Sequence, residues 1–554
     1  MKRTLLVVAA LGLSSSLFAQ SPLTETIEVR VTNVDVIVVD RAGNPVPGLT
    51  REDFEVTEGG KPQPITNFYE INESTVPAAG AAPDAAPGTA SDVPAEIGRR
   101  RLVVFVDNYS INPLSRNQAF VALEKSLGTL MRPGDEAMIV FWDRNQEVIA
   151  PFTSDRAELI RRFKEAAGRT GGGMTATSAR SRVIEHASQM LADAKAPSRR
   201  KISFEQAYEE SSNAAHAYAE ELYASETRLL GGVQRMLTSL AGVEGKKAFI
   251  FLGAELAENP GLDLIQQIDG MYQEYIRGMR PAVLREQNRS LTAELRTLAR
   301  HANATGVTMY LVDTADRSRG ADPTARLVDN ESEVTAQMNT SMAMGTIASM
   351  TGGLAVAGGK SFEKALDTVA RDLSSYYSLG YRSPGDAEGD RRIVVKVKRP
   401  GLHVRSRTTY VARKGDDELK DRVIANVFHA GVKSDFPVSL VASTPEKLES
   451  GQYKVKLKVT LPSTMTFIPQ DDSLVGEFAV FFATGKEDGA LSEVSKAVQP
   501  MKFPGNARDA IVAQKSFTYD ASLVVRPGEQ IVSVAVTDTL AGTSGFARTK
   551  INAQ

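Results

Sequence analysis

Four short apolar runs recur through the middle of this chain: Arg101–Asp107, Ala137–Phe141, Ala248–Leu252 and Val307–Val312. Amphipathic helical stretches lie between them. Continuous apolar strands alternating with helices predict a parallel sheet covered on both faces. The helical spacing is explicit. Phe120, Leu123, Leu127 and Leu130 form one face, and Leu229, Leu230, Val233, Met236, Leu237 and Leu240 a second. Leu291, Leu295, Leu298 and Ala302 form a third, and Phe362, Leu366, Val369 and Leu373 a fourth. Each is read as a sheet-packing helix. In an open α/β sheet ligands sit beyond the carboxyl ends of the strands, which is where Asp107 falls.

At 554 residues the chain is too long for one core and predicts about three domains. A net charge of −2 gives no field for nucleic acid, and no nucleic-acid partner is expected. Residues 1–20 have a basic start, a short apolar stretch and small residues near Ala19, the pattern of an export signal. The expected location is therefore periplasmic or extracellular, with cleavage near Ala19. No later run reaches the ~18 apolar residues of a membrane span, so no transmembrane segment is expected. The chain has no cysteine, which removes disulfides, thiol catalysis and thiolate metal sites together.

Residues 25–72 read as β. Ile27, Val29 and Val31 alternate with polar residues, Val34, Val36 and Val38 continue after a slip of phase at Asn33 that predicts a bulge, and Glu58-Gly59-Gly60-Lys61 predicts a tight hairpin turn. Residues 74–98, rich in Ala and Pro, are assigned to a linker. The α/β block spans 101–375, with polar, aromatic-spotted insertions at 195–225 and 258–288. Strands return at 376–412, predicting that the block is inserted into a β-sandwich. Residues 416–554 are predicted to be all β, a second, Ig-like sandwich, with Tyr453, Val455, Leu457 and Val459 alternating with lysines and Thr460. Arg99-Arg100-Arg101 is read as a solvated strand entry.

Residues 31–56 and 346–410, with Thr351-Gly352-Gly353 and Leu379-Gly380-Tyr381, resemble the von Willebrand factor type A-related, acidobacterial-type secreted proteins. The resemblance covers roughly 25–410. It implies a doubly wound, Rossmann-like type A domain that binds proteins, often through a metal-ion-dependent adhesion site. That site takes Asp-x-Ser-x-Ser after the first strand, a Thr in a Gly-rich loop and an Asp after the fourth strand, because Mg²⁺ requires a near-octahedral oxygen shell. Here Asp107 is kept, Tyr109 and Ile111 fill the serine slots, and Ser110 is one place out of register. Thr175 is kept after Gly171-Gly172-Gly173, and Glu255 stands near the missing aspartate. The metal ligands are therefore reduced to Asp107 and Thr175, and the adhesion site reads as degenerate. No cofactor is expected, with Mg²⁺ the one candidate; the plainer reading is that Asp107 caps its own loop.

Gly353–Ser361 lacks the first glycine of a phosphate loop. His186, His216, His301, His403 and His429 show no metal-ligand spacing and are assigned to surfaces or helix faces. No Gly-x-Ser-x-Gly elbow occurs, so a hydrolase triad has no sequence support. The expected function is an exported, non-enzymatic protein-binding or adhesion protein of unknown partner, docking through Asp107, Tyr109, Ser110, Thr175 and Glu255, with Tyr272 and Tyr275 as further anchors. The helix from about Ala176 is expected to descend from that face, and the insertion after it to climb back. A metal-dependent enzyme using Asp107 and a purely structural envelope component are the alternatives.

Overall fold

The structure, a computed structural model, describes residues 31–72, 98–111, 113–168, 173–196, 202–254, 256–276, 290–315, 327–357, 361–383, 389–411, 415–429, 432–486 and 491–554. The export signal and nearly all of the linker lie outside these residues. Among the described residues no helix is long and apolar enough to cross a membrane.

Strands β1 (Val31–Val39), β2 (Phe54–Glu58), β3 (Lys61–Gln63) and β4 (Ile65–Ile71) precede the α/β block. The block itself contains β5 (Arg100–Asp107), β6 (Glu136–Trp142), β7 (Gln146–Thr153), β8 (Lys246–Gly253), β9 (Val307–Asp313) and β10 (Ala355–Ala357). Its six strands lie in the order β10-β9-β8-β5-β6-β7, all parallel except the edge strand β7. Both faces are apolar because both are covered. Leu102, Val104 and Val106 pack with Phe120, Leu123, Leu127, Phe163, Leu366 and Val369 from helices Pro113–Leu130, Arg156–Ala167 and Phe362–Ser374. Val103 and Phe105 point the other way, toward Val233, Leu237, Leu295, Leu298 and Ile347 from helices Phe204–Leu240, Thr292–Ala304 and Leu327–Thr351. The apolar faces read from helical spacing are thus the sheet-packing faces.

Arg100 is not solvated. It is 2% exposed, forms an ion pair with Asp135, and donates to the carbonyls of Leu373 at 2.7 Å and Leu130 at 3.1 Å. A buried guanidinium needs such partners, because leaving it unpaired costs several kcal/mol.

After the block come β11 (Tyr376–Arg382), β12 (Asp390–Val397), β13 (His403–Ser406) and β14 (Thr409–Val411). They pair directly with the strands before it. One sheet runs β13-β1-β11-β4 and another β14-β12-β2-β3. Between them Val34, Val36, Val38, Phe54, Val56, Tyr377, Leu379, Tyr381 and Ile393 share one cluster. The predicted bulge at Asn33 is absent: Val31 to Val36 pair with Arg382 to Tyr377 without a shift, and Thr32 takes the inward place at 3% exposure. The irregularity lies opposite, between Gly380 and Tyr381 against β4. The hairpin at Gly59-Gly60 has both φ angles positive, 57° and 81°, as a two-residue turn of that kind requires.

Residues 416–554 are not all β. A helix, Gly415–Phe428, comes first. One sheet then contains β15 (Ser439–Ala442), β16 (Glu446–Lys447), β17 (Tyr453–Pro462) and β21 (Ser516–Val525). The other contains β18 (Ile468–Gln470), β19 (Ser473–Gly485), β20 (Ser495–Pro504), β22 (Gly528–Asp538) and β23 (Ser544–Ala553). Val455, Leu457 and Val459 face Phe478, Val480, Val534 and Val536 across the two sheets. Ala479, Phe481 and Ala535 on the reverse side are covered by Val423 and Val427 of the helix. This helix carries Leu419, Val423 and Val427 at four-residue spacing, a short signal masked by the strands that fill the rest of the region.

The two insertions pack against each other. Helix Phe204–Leu240 is 37 residues, roughly 55 Å at 1.5 Å per residue, about twice the length of the strands it covers. Its lower half packs on the sheet. Ala207, Ala215 and Tyr218 of its upper half instead join Ala187, Leu191 and Ala194 of helix Gly173–Lys195 and Leu264, Ile268 and Tyr272 of helix Leu262–Tyr272. Helix Gly173–Lys195 therefore rises away from the sheet rather than descending along it, because its apolar residues belong to this second cluster.

Candidate functional site

The strand order reverses between β5 and β8, so the first crossover leads to one side of β5 and the next to the other. The crevice above their carboxyl ends is the place such a sheet leaves for a ligand. Asp107 ends β5 there, 3% exposed. Its Oδ1 accepts the backbone N–H of Ser110 at 3.3 Å, so the carboxylate closes its own loop. Ser110 Oγ in turn accepts the N–H of Ala254 at 3.0 Å, tying the β5 loop to the β8 loop. Burial raises the Asp107 carboxyl to about 6, Ser110 works against the rise, and nearby Asp143 adds to it.

The neighbouring slots are filled by other chemistry. Ile111 is 1% exposed and belongs to the apolar cluster beneath. Tyr109 donates its backbone N–H to Trp142 O at 3.1 Å, which turns its ring toward the β6–β7 hairpin. There the Arg144 guanidinium lies 4.7 Å from the ring centroid and donates to the tyrosine hydroxyl at 2.6 Å. Arg144 is exposed and held at φ +64° in the hairpin turn. Asn108 accepts from Arg116 at 2.6 Å, and Arg116 stacks 4.5 Å over Phe120. Thus one serine slot offers no oxygen, and the oxygen at the other is held by Arg144.

Gly253 ends β8. A Cβ there would lie 2.6 Å from the Phe251 ring and 3.3 Å from Asp107 Cβ, leaving no room for a second acid. Thr314, just past β9, donates its N–H to Gly253 O at 2.9 Å and buries a hydroxyl with no partner among the described residues. Thr175 lies in the first turn of helix Gly173–Lys195, which begins earlier than the sequence indicated; its side chain is not among those described. Glu255 lies outside the described residues. Among the described residues no three His, Asp or Glu side chains are grouped to hold a metal ion.

Tyr272 and Tyr275 are not available as anchors. Tyr272 is fully buried, shares a 2.9 Å hydrogen bond with Ser211 Oγ and donates to Ala187 O at 3.1 Å. Tyr275 stacks on Phe204 at 4.8 Å, with Lys195 4.6 Å above its ring. Both hold the helical unit together. Arg144 was missed by sequence reading; its signal was a charged, Asn-containing turn between two apolar strands, which marks a hairpin but not what the arginine covers.

No family profile and no curated protein matches the chain. Among solved structures it is similar to a von Willebrand factor type A protein from Catenulispora acidiphila, at 10% identity and TM-score 0.24, covering 88% of this chain and 74% of that one. It is also similar to the von Willebrand factor domain of the type V pili tip protein Mfa5 from Porphyromonas gingivalis, at 10% identity and TM-score 0.22, covering 50% of this chain and 94% of that one. A third similarity is to BatB from Bacteroides thetaiotaomicron, at 9% identity and TM-score 0.20, covering 50% and 97%. The parallel order β10-β9-β8-β5-β6, closed by the antiparallel edge strand β7, defines the fold of the α/β block.

Proposed function

We propose that this is an exported, non-enzymatic protein-binding or adhesion protein of the von Willebrand type A-related, acidobacterial-type kind. In this reading the type A domain is inserted in a β-sandwich and followed by an Ig-like one, and it carries a degenerate metal-ion-dependent adhesion site. The observation that supports the reading is the Tyr109–Arg144 pair at the switch-point crevice. An aromatic ring held by a guanidinium, half out of a packed site, is the side-chain chemistry that anchors protein interfaces, since it buries area at low entropic cost. Asp107 and Ser110 act beneath it by fixing the loop, and Asp143 and Arg144 supply charge at the rim. Mg²⁺ fits poorly: the serine slots hold Tyr109 and Ile111, and Gly253 stands where a second acid would have to be.

The test is capture of envelope proteins by the purified chain, compared with a Tyr109→Ala/Arg144→Ala double variant of unchanged melting temperature. The double variant should weaken capture by about 2 kcal/mol or more, with and without EDTA. Capture unaffected by the double variant but lost on removing residues 416–554 would move the binding surface to the C-terminal sheets. Turnover in a small-substrate screen that requires both Mg²⁺ and Asp107 would replace this reading with an enzymatic one.

A further inference from the structure

A cavity of about 640 Å³ lies at the end of the parallel sheet opposite Asp107, where the C-terminal unit docks beneath it. Its walls come from both bodies. Phe152 lies at the end of β7 and Val243 precedes β8, while Phe428 and Val432 follow from the C-terminal helix, and together they make an apolar floor. Four cationic side chains, Arg99, Arg101, Lys433 and Arg548, stand around it against two carboxylates, Glu136 and Glu244.

The positive charge is only partly used. Arg101 pairs with Glu136 at 2.8 Å and donates to Glu244 O at 2.8 Å. Arg548 donates to the carbonyls of Asn426 and Val427, at 3.4 and 3.2 Å, which are neutral acceptors. The exposed Arg99 side chain makes no hydrogen bond or ion pair among the described residues. His429, read from the sequence as a surface or helix-face residue, lies on the wall with its ring 5.1 Å from Phe152, and its Nε2 is buried with no hydrogen-bond partner among the described residues. Burial, with Arg101 and Arg548 adding to it, pushes that imidazole down to about 3. Burial is the larger cause, and the two guanidinium groups add to it.

We infer that this interdomain pocket binds an apolar monocarboxylate, its carboxylate between Arg99 and Arg548 and its body along Phe152 and Phe428. The volume is that of a small-molecule site, and an apolar floor with a few convergent polar groups is the usual make-up of one. Guanidinium groups suit a planar carboxylate because two parallel N–H bonds match its two oxygens. An inorganic anion would match the charge and leave the apolar floor in water; an apolar amine would match the floor and be repelled.

The experiment is calorimetric titration of the full chain with octanoate, inorganic phosphate and octylamine, together with Arg99→Gln, Arg99→Glu and Arg548→Gln variants whose melting is checked first. Octanoate should bind with sub-millimolar affinity, and each arginine variant should weaken it roughly tenfold or more, as expected when one charge-assisted bond is lost. The Arg99 side chain makes no hydrogen bond or ion pair among the described residues, and its backbone carbonyl, which accepts Lys246 N–H at 3.0 Å, is kept in any variant, so its variants keep the test valid even if Arg548→Gln unfolds the chain. Octanoate failing to bind, phosphate binding as tightly, or affinity unchanged in Arg99→Glu would each overturn the inference.

Discussion

Replacing Asp107 by Asn should make the protein more stable at neutral pH, although it alters the centre of the candidate site. Burial raises this carboxyl from 3.8 to about 6, so the folded state holds the proton more tightly than the unfolded chain does. Stability from this group is fully present below about 4, falls as pH rises through about 6, and stays low above that. At roughly 1.4 kcal/mol per tenfold change in ionisation, the cost of the charged form at pH 8 is about 3 kcal/mol. Asparagine keeps the oxygen that accepts Ser110 N–H and removes the charge, so most of that cost should disappear. Urea unfolding at pH 8 and at pH 4, with unchanged dependence on urea, is the assay. The Asp107→Asn variant should gain about 2–3 kcal/mol at pH 8 and little at pH 4. A wild-type protein more stable than the variant at pH 8 would refute the reasoning, because it would mean that something cationic pairs with the carboxylate.

Millimolar Mg²⁺ should move the melting temperature little; a ligand at a hundredfold excess over Kd would add about 2.7 kcal/mol, and such a shift lost in Asp107→Ala would contradict the proposed degenerate site. Gly232→Ala places a Cβ 2.4 Å from the ring of Trp142, the only tryptophan, so it should cost about 1–3 kcal/mol and change the intrinsic fluorescence of the folded protein. If fluorescence and stability are both unchanged, the close packing of helix Phe204–Leu240 on β6 is wrong. A protease site engineered within residues 74–98, once cut, should leave the N-terminal fragment bound, because β1 and β4 both pair with β11; free separation on native gel filtration would contradict those pairings. Removing residues 260–285 should unfold the helical unit, since Leu264, Ile265, Ile268 and Tyr272 are its core, and proteolysis should then reach helix Gly173–Lys195.

The residues alone determined as much as local periodicity can carry. Arg101–Asp107 and its three counterparts are strands because uninterrupted apolar runs fit only a sheet buried on both faces. Phe120 to Leu130 and Leu229 to Leu240 are helices because their apolar residues return every three or four positions. The place of Asp107, at the end of the first of these strands, comes from the same pattern. Which partners those elements would find was not local. Tyr272 reads equally well as an exposed anchor or a core residue until Ser211, 61 residues away, meets its hydroxyl. Arg100 looks like a solvated strand entry until Asp135 and the carbonyls of Leu130 and Leu373 surround it. His429 and the arginines beside it are ordinary polar residues in sequence, and only the docking of the C-terminal unit gathers their charge around one cavity. Spacing along a chain fixes which face of an element is apolar; which other face comes to cover it depends on contacts hundreds of residues apart, and those belong to the tertiary structure.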